Sequence, residues 1–516
     1  MTNTVADLLS DAARAQGADI ALVEAASGRS LTWSALDAEV DQVVTGLGEA
    51  GLVAGYRVML VLGNRIEFVT AYLGALRAQL VVVPANPRST AAELGRMLAD
   101  CGARLVIADD ASVGVVREAV SRGGAAARVV VVGTPGEGEL GYGDLVAHGE
   151  HPPMPQLDPE ATAVLLYTSG TSGPPRGAML SHRALLANIE QVASVDPPML
   201  TATDVVLGVL PLFHVYGLNA VLGATLHRRA KLVLADTFSP DGTLDLIDDE
   251  AISVVPVAPP VFAHWLPMED LAVRLGAVRL VLSGSAPLPA EVIDRFVGLA
   301  KVAVHQGYGL TEAAPVVTST LCSGHADSGS VGTTIPGIEL RLIDEDGAES
   351  EPGDPGEIEI RGANLFSGYW PDGADGPDAE GWWRTGDVGL LDDDGDLFLV
   401  DRVKELVIVS GFNVYPVEVE EVISAVPGVR EVAVIGAPHE TTGETVVAYL
   451  VIDGEEDAVR AAVAEACTAA LARFKQPTEV QVVPALPHTA TGKVQKGRLR
   501  AAVRRRGPAL LAADPS

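Results

Sequence analysis

A chain of 516 residues, 48% of them hydrophobic and with a formal charge of −32, is too long for one hydrophobic core, so at least two domains are expected. The charge excludes a nucleic-acid partner, because neutralising phosphates takes clustered Lys and Arg, and it leaves room for an anionic ligand only through a local binding device. Cys101, Cys322 and Cys467 form no CxxC pair and no metal-ligand spacing, which makes them packing residues and points to a reducing, cytoplasmic setting.

The opening stretch "MTNTVADLLSDAARAQG" lacks the basic region followed by an apolar core that a secretory signal needs. From there to about Pro336, apolar β-rich runs alternate with Ala-rich stretches of helical pattern. The runs are "VVVP" (Val81 to Pro84), "RLVIAD", "RVVVVG", "KLVLAD" and "VRLVLSGS". That alternation predicts an α/β region of two doubly wound subdomains, with sheets covered on both faces. Within it, Val205 to Leu226 is long and uncharged enough to imitate a membrane span, but Pro211, His214, Gly217 and Asn219 interrupt it. It reads instead as buried strand, turn and helix.

Between Gly337 and Val400 the pattern changes to the alternating runs "IELRLID", "GEIEIRG" and "GDLFLV", which predict the short antiparallel strands of a small β-barrel. The domain expected over 1–400 ends at a hinge, 401–405. A smaller, mobile α+β domain follows over 406–506: a helix near Val417 to Val426, strands "EVAVIG" and "VVAYLVI", a helix near Glu455 to Phe474 and strand "EVQVV". Residues 507–516 read as a loose tail.

One stretch carries chemistry on its face. "YTSGTSGPPRG", Tyr167 to Gly177, is a Gly-, Ser- and Thr-rich loop after a buried strand, able to wrap a polyphosphate with backbone N–H groups and hydroxyls. Alone it reads equally well as a polar surface turn. It is not a Walker A loop, since no GxxxxGK[ST] is present.

The loop resembles the signature of the ANL superfamily of adenylate-forming enzymes, with Arg176 where the family usually has lysine. Further motifs of that family follow in its order: "PLFHVYGL" (Pro211 to Leu218), "LSGSAPL" (Leu282 to Leu288), "GYGLTEA" (Gly307 to Ala313), "RTGDVG" (Arg384 to Gly389), "DRVKELVIVSGFNVYP" (Asp401 to Pro416) and "PHTATGK" (Pro487 to Lys493). "VSGFNVYP" is most similar to the fatty acyl-CoA synthetase branch.

The resemblance implies two half-reactions: a carboxylate attacks the α-phosphate of MgATP to give acyl-AMP and pyrophosphate, and coenzyme A then displaces AMP as a thioester forms. By the same resemblance Thr168, Ser169, Gly170, Thr171, Ser172, Gly173 and Arg176 hold the β- and γ-phosphates. Gly284, Ser285 and Ala286 line the adenine edge, and Tyr308, between Gly307 and Gly309, stacks on the ring. Thr311 meets the α-phosphate, and Glu312 with Thr168 binds Mg2+, a hard cation that prefers oxygen ligands. Asp387 accepts from the ribose hydroxyls, and Arg402 is a further nucleotide contact. Lys493 is the catalytic cation of adenylation, one of only six lysines in the chain. Lys404 is the hinge about which the small domain turns, withdrawing Lys493 and bringing Ser410 and Gly411 to the pantetheine arm.

The acyl group is read from what is missing. Amino-acid adenylating relatives carry an aspartate after the aromatic of "PLFHVYGL", whereas Phe213 precedes His214, Val215, Tyr216 and Gly217. Diacid ligases need a cation before the tyrosine of "GYGLTE", where Gln306 and Gly307 stand. An apolar tail is therefore expected against His214, Val215, Gly217 and Gly309, since an unopposed carboxylate there would be costly. A medium- or long-chain fatty acid is the leading expectation. An aromatic acid of the o-succinylbenzoate or cinnamate kind, or transfer to a carrier protein, is the alternative. The arginines Arg498, Arg500, Arg504, Arg505 and Arg506 read as a solvated helix face, compatible with weak peripheral membrane contact; a homodimer is equally compatible.

Overall fold

The computed structural model describes residues 4–123, 127–146, 157–168, 175–286, 288–324, 329–344, 346–351, 353–402, 405, 407–409, 412–439, 443–471, 473–489 and 492–500. It is an α/β protein with a large N-terminal and a smaller C-terminal domain.

Two seven-stranded sheets organise the N-terminal part. The first runs Leu140–Gly141, Arg128–Val132, Leu105–Asp109, Arg57–Val61, Val81–Pro84, Thr162–Thr168, Arg176–Ser181. Its pairs are parallel except the last, where Thr162–Thr168 and Arg176–Ser181 run antiparallel. Val58, Leu60, Ile107 and Val130 are fully buried in one core and Met59, Val61, Val106 and Val131 in another, so both faces of the central strands are covered. That is why these strands are unbroken apolar runs.

The second sheet runs Val304–Gln306, Leu280–Ser283, Val254–Val257, Val205–Gly208, Lys231–Leu234, Ile20–Glu24, Arg29–Thr32. It is parallel up to its antiparallel last pair. Each expected run thus becomes a strand. After strand Val205–Gly208 the interrupted apolar segment turns and then winds as a π-helix, Tyr216–Gly223, before α-helix Ala224–Arg228. The π-helical turn is a difference from the expected helix; such turns recur at functional sites.

The stretch read as a barrel supplies a four-stranded sheet in the order Ile338–Ile343, Gly356–Gly362, Trp382–Leu391, Leu397–Arg402. Its third strand contains "RTGDVG" and was not anticipated. The C-terminal part has helix Pro416–Ser424, the antiparallel strands Val429–His439 and Gly443–Ile452, helix Glu456–Ala470 and strand Glu479–Val482. The last pairs in parallel with Gly443–Ile452. Two compact units result: one takes the chain up to Glu339 together with Arg361–Trp383, the other Leu340–Ile360 and the chain from Arg384 onward. Cys101 and Cys467 are buried, Cys322 is partly so, and all three are free thiols, as packing residues should be.

Candidate active site

In the large unit, the ends of the antiparallel pair define the mouth of the glycine-rich loop. Thr168 and Arg176 are the last register partners of the two strands, so the cation faces the threonine across the loop's base. Ser169, Gly170, Thr171, Ser172 and Gly173 lie outside the described residues. The segment after Leu365 adds to the outer edge: Ser367 N–H donates to Met179 O, Met179 N–H to Gly368 O and Trp370 N–H to Gly177 O at 2.8–3.1 Å. This edge-strand addition brings a residue far away in sequence, Tyr369, beneath Arg176.

The Arg176 guanidinium carbon lies 3.9 Å from the Tyr369 ring centroid, and its Nη1 is 2.8 Å from Asp375 Oδ2. On the other side, Tyr369 Oη donates to Glu312 Oε1 at 2.7 Å. Glu312 is buried on a short 3₁₀ turn, Thr311–Ala313, and its carbonyl accepts from Phe366 N–H at 2.9 Å. Burial, reinforced by the nearby Glu312 charge, pushes the Tyr369 phenol well above its ordinary range, so it remains a donor. Trp370 anchors the same segment, its Nε1 donating to Asp100 O at 3.1 Å. An exposed ion pair contributes about 0–1 kcal/mol and an exposed cation–π contact about 0.5–1. Arg176, whose side chain is 45% exposed, is therefore held loosely enough for a phosphate to recruit it.

Gly307, Tyr308 and Gly309 follow strand Val304–Gln306. Tyr308 is buried, and its N–H donates to Thr318 Oγ1 at 3.1 Å. A Cβ at Gly309 would lie 2.3 Å from Pro315 O, so only glycine admits that close backbone pairing. Gly284, Ser285 and Ala286 follow strand Leu280–Ser283, with Ser285 in the left-handed region at φ +75°. Gly284 makes room for an aromatic ring, since a Cβ there would lie 2.7 Å from Tyr216 Cε1. The hydroxyls of Ser283 and Ser285 are buried with no partner among the described residues.

His214 Nδ1 accepts Tyr216 N–H at 3.3 Å, which places the neutral ring's proton on Nε2. Burial pushes this imidazole down to about 4. Val215 and Gly217 are buried at the head of the π-helix. Tyr216 contacts Gly284, so the segments expected to line the acyl group and the adenine edge meet through an aromatic ring.

In the smaller unit, Asp387 is buried within strand Trp382–Leu391, where its register partner is Arg402. The expected nucleotide pair is thereby adjacent on neighbouring strands. Lys493 is exposed on a closed turn: Lys493 N–H donates to Thr489 Oγ1 at 3.0 Å, and Thr489 N–H to Lys493 O at 2.7 Å. Gly492 at φ +82° completes it. Lys496, three residues on, bridges Glu405 at 3.4 Å and Glu420 at 2.8 Å. Lys404, Ser410 and Gly411 lie outside the described residues, as do Arg504, Arg505 and Arg506. Among the described residues no group of three His, Cys, Asp or Glu could hold a metal on its own. No helix among them is long and apolar enough to cross a membrane.

Tyr369, Tyr216 and Asp375 are absent from the sequence-based set. The glycine-rich run "SGYWPDGADG" (Ser367 to Gly376) was the available signal for two of them.

A glycine-rich loop whose flanking strands carry a cation near a buried carboxylate, followed in the chain by a small α+β domain with a lysine on a tight turn, is the arrangement of an adenylate-forming enzyme. The chain belongs to the AMP-binding enzyme family: it matches that family over residues 9–370 and the family's C-terminal domain over 418–493, and so sits in the ANL superfamily. It is 35% identical to 4-coumarate–CoA ligase 5 of Oryza sativa subsp. japonica over 93% of this chain and 91% of that one. A benzoate CoA ligase from Burkholderia xenovorans LB400 superposes with a TM-score of 0.86 at 26% identity, covering 96% and 99% of the two chains. The Mycobacterium tuberculosis fatty acyl CoA synthetase gives 0.77 at 29%, covering 98% and 99%. The chain is an adenylate-forming CoA ligase, for which ATP and coenzyme A are the expected co-substrates and a carboxylic acid the third. The fatty-acid expectation gains less from these comparisons than its aromatic alternative does.

Proposed function

We propose that this enzyme is an AMP-forming ligase for an aromatic carboxylic acid. The observation that carries the reading is the Tyr216 ring seated against Gly284, a glycine flanked in the chain by Ser283 and Ser285, whose buried hydroxyls have no partner among the described residues. A flat aryl ring stacks on such a wall, and a ring hydroxyl or amine can satisfy a buried hydroxyl whose lack of a partner is costly. The 4-coumarate and benzoate ligases among the relatives support the same choice.

In the first half-reaction an acid oxygen attacks the α-phosphorus of MgATP and the bond to the β-phosphate oxygen breaks. Arg176, Thr168 and the loop residues 169–173 stabilise the departing pyrophosphate. Glu312 binds the magnesium of MgATP, and Lys493 meets the charge building on the α-phosphate. Tyr308, the segment 284–286, Asp387 and Arg402 hold the nucleoside. In the second, the coenzyme A sulfur attacks the acyl carbon, AMP leaves and the thiol proton passes to solvent. Ser410 and Gly411 admit the pantetheine arm, and Lys404 is the pivot between the two steps.

The test is a panel of 4-coumarate, benzoate, octanoate and palmitate assayed with MgATP, with and without coenzyme A. AMP and thioester formation restricted to the aryl acids is the expected outcome. Preference for octanoate or palmitate overturns it in favour of a fatty acid ligase. An adenylate that accumulates despite coenzyme A points to a carrier-protein acceptor.

A further inference from the structure

The arginine that stands where the family usually has lysine needs a seat that a lysine would not, because a planar guanidinium stacks where an ammonium cannot. We propose that Tyr369 is a positioning residue of the phosphate site: its ring seats Arg176 and its hydroxyl orients Glu312, so that cation and carboxylate reach MgATP as one assembly.

The geometry is continuous. Arg176 lies over the ring at 3.9 Å, the phenol donates to Glu312 Oε1 at 2.7 Å, and Asp375 restrains the guanidinium from the side at 2.8 Å. Tyr369 itself has little freedom. Its N–H donates to Ala374 O and its carbonyl accepts Gly373 N–H, both at 2.9 Å. Its ring meets Phe366 edge-on, with centroids 5.0 Å apart. A rigid tyrosine between two otherwise adjustable side chains fixes their separation, and a fixed separation is what a phosphate–magnesium unit requires.

The inference rests on the adenylate-forming reading of this site, so the experiment is ATP–pyrophosphate exchange by the full chain with whichever acid of the panel turns over. It is measured against MgATP and, separately, against free Mg2+. Tyr369→Phe keeps the seat and loses the hydrogen bond: half-saturating Mg2+ should rise about fivefold while KM for MgATP changes by less than about twofold and the melting temperature stays put. Tyr369→Leu loses both functions, and both constants should rise about tenfold, with Arg176→Ala adding little on top because the two residues act as one. Unchanged Mg2+ dependence in Tyr369→Phe, or penalties of Tyr369→Leu and Arg176→Ala that multiply, overturns the proposal. Should Tyr369→Leu fail to fold, Tyr369→Phe decides alone. A wild-type chain that exchanges with no acid overturns the ligase reading and this inference with it, whereas normal wild-type exchange with unaffected variants overturns only the latter.

Discussion

The two regions proposed to carry charge toward the nucleotide are built on opposite plans. In the large unit, Arg176 and Glu312 are tied through one aromatic ring, and the carboxylate is buried. In the small unit, Lys493 stands exposed on a backbone turn, and the rigidity lies one step away, where the half-buried Lys496 bridges Glu405 and Glu420. On the proposed mechanism the phosphate site empties by release of pyrophosphate and can itself stay fixed, whereas a cation beside the reacting acyl phosphate has to be withdrawn before coenzyme A can enter. The contrast teaches that in the small unit presenting charge and holding structure are separate jobs.

That separation can be broken from either side. Lys493→Ala should have the largest effect: adenylation falls about a thousandfold, the loss of a charge aimed at the transition state, with the melting temperature unchanged because the residue is exposed. A supplied acyl-adenylate should still react with coenzyme A, a comparison that pre-steady-state mixing can make. Equal loss of both half-reactions would mean that Lys493 serves the fold of the small unit. Lys496→Met should do the opposite, destabilising the small unit by about 2–4 kcal/mol in a urea melt, since two half-buried carboxylates lose their cation. Lys496→Arg should restore most of it.

In the large unit, charge and structure are coupled, and the effects are smaller. Arg176→Ala should weaken apparent MgATP use by roughly ten- to a hundredfold, the worth of a charged hydrogen bond of about 1.5–3 kcal/mol, and Arg176→Lys by far less. Asp375→Asn should act in the reverse sense, lowering KM for MgATP by about twofold, because an exposed ion pair worth under about 1 kcal/mol no longer competes for the guanidinium. A raised KM in that variant would show that Asp375 aligns Arg176 and does not compete for it.

Which parts were legible in the sequence follows from how local their signals are. The parallel strands announce themselves, because a strand buried on both faces must be an apolar run such as Val81–Pro84 or Arg128–Val132. The strand Trp382–Leu391 hid behind Thr385, Gly386 and Asp387, residues that favour turns. The π-helix at Tyr216–Gly223 hid because a short apolar segment fits either helical period. Motif residues such as Glu312, Tyr308 and Lys493 could be named from their neighbours. Tyr369 could not be linked to Arg176, since only the edge pairing of Gly177 with Trp370 unites them. The Tyr216–Gly284 contact was hidden for a related reason: His214 was visible in its motif, whereas this contact joins two distant motifs.

The smallest expected effect concerns that histidine and separates a lining residue from a titrating one. Burial holds both His214 and His182 down to about 4, below the ordinary histidine value near 6.5. The unfolded chain therefore binds more protons than the folded one between about 6.5 and 4, and stability must fall as pH drops through that window. Above about pH 7 both rings are neutral in either state and contribute no slope. His214→Phe, which keeps an aromatic lining, should remove part of the decline in melting temperature between pH 6.5 and 4.5. The remainder belongs to His182 together with His227 and His305, which burial also lowers, and should shrink further in the double variant with His182. At pH 8 the single variant should melt like the wild type and still adenylate, because a neutral ring that lines the acyl wall transfers no proton in the reaction. A loss of adenylation at pH 8 as large as that of Arg176→Ala would instead give the Nε2–H of His214 a direct contact with the acid.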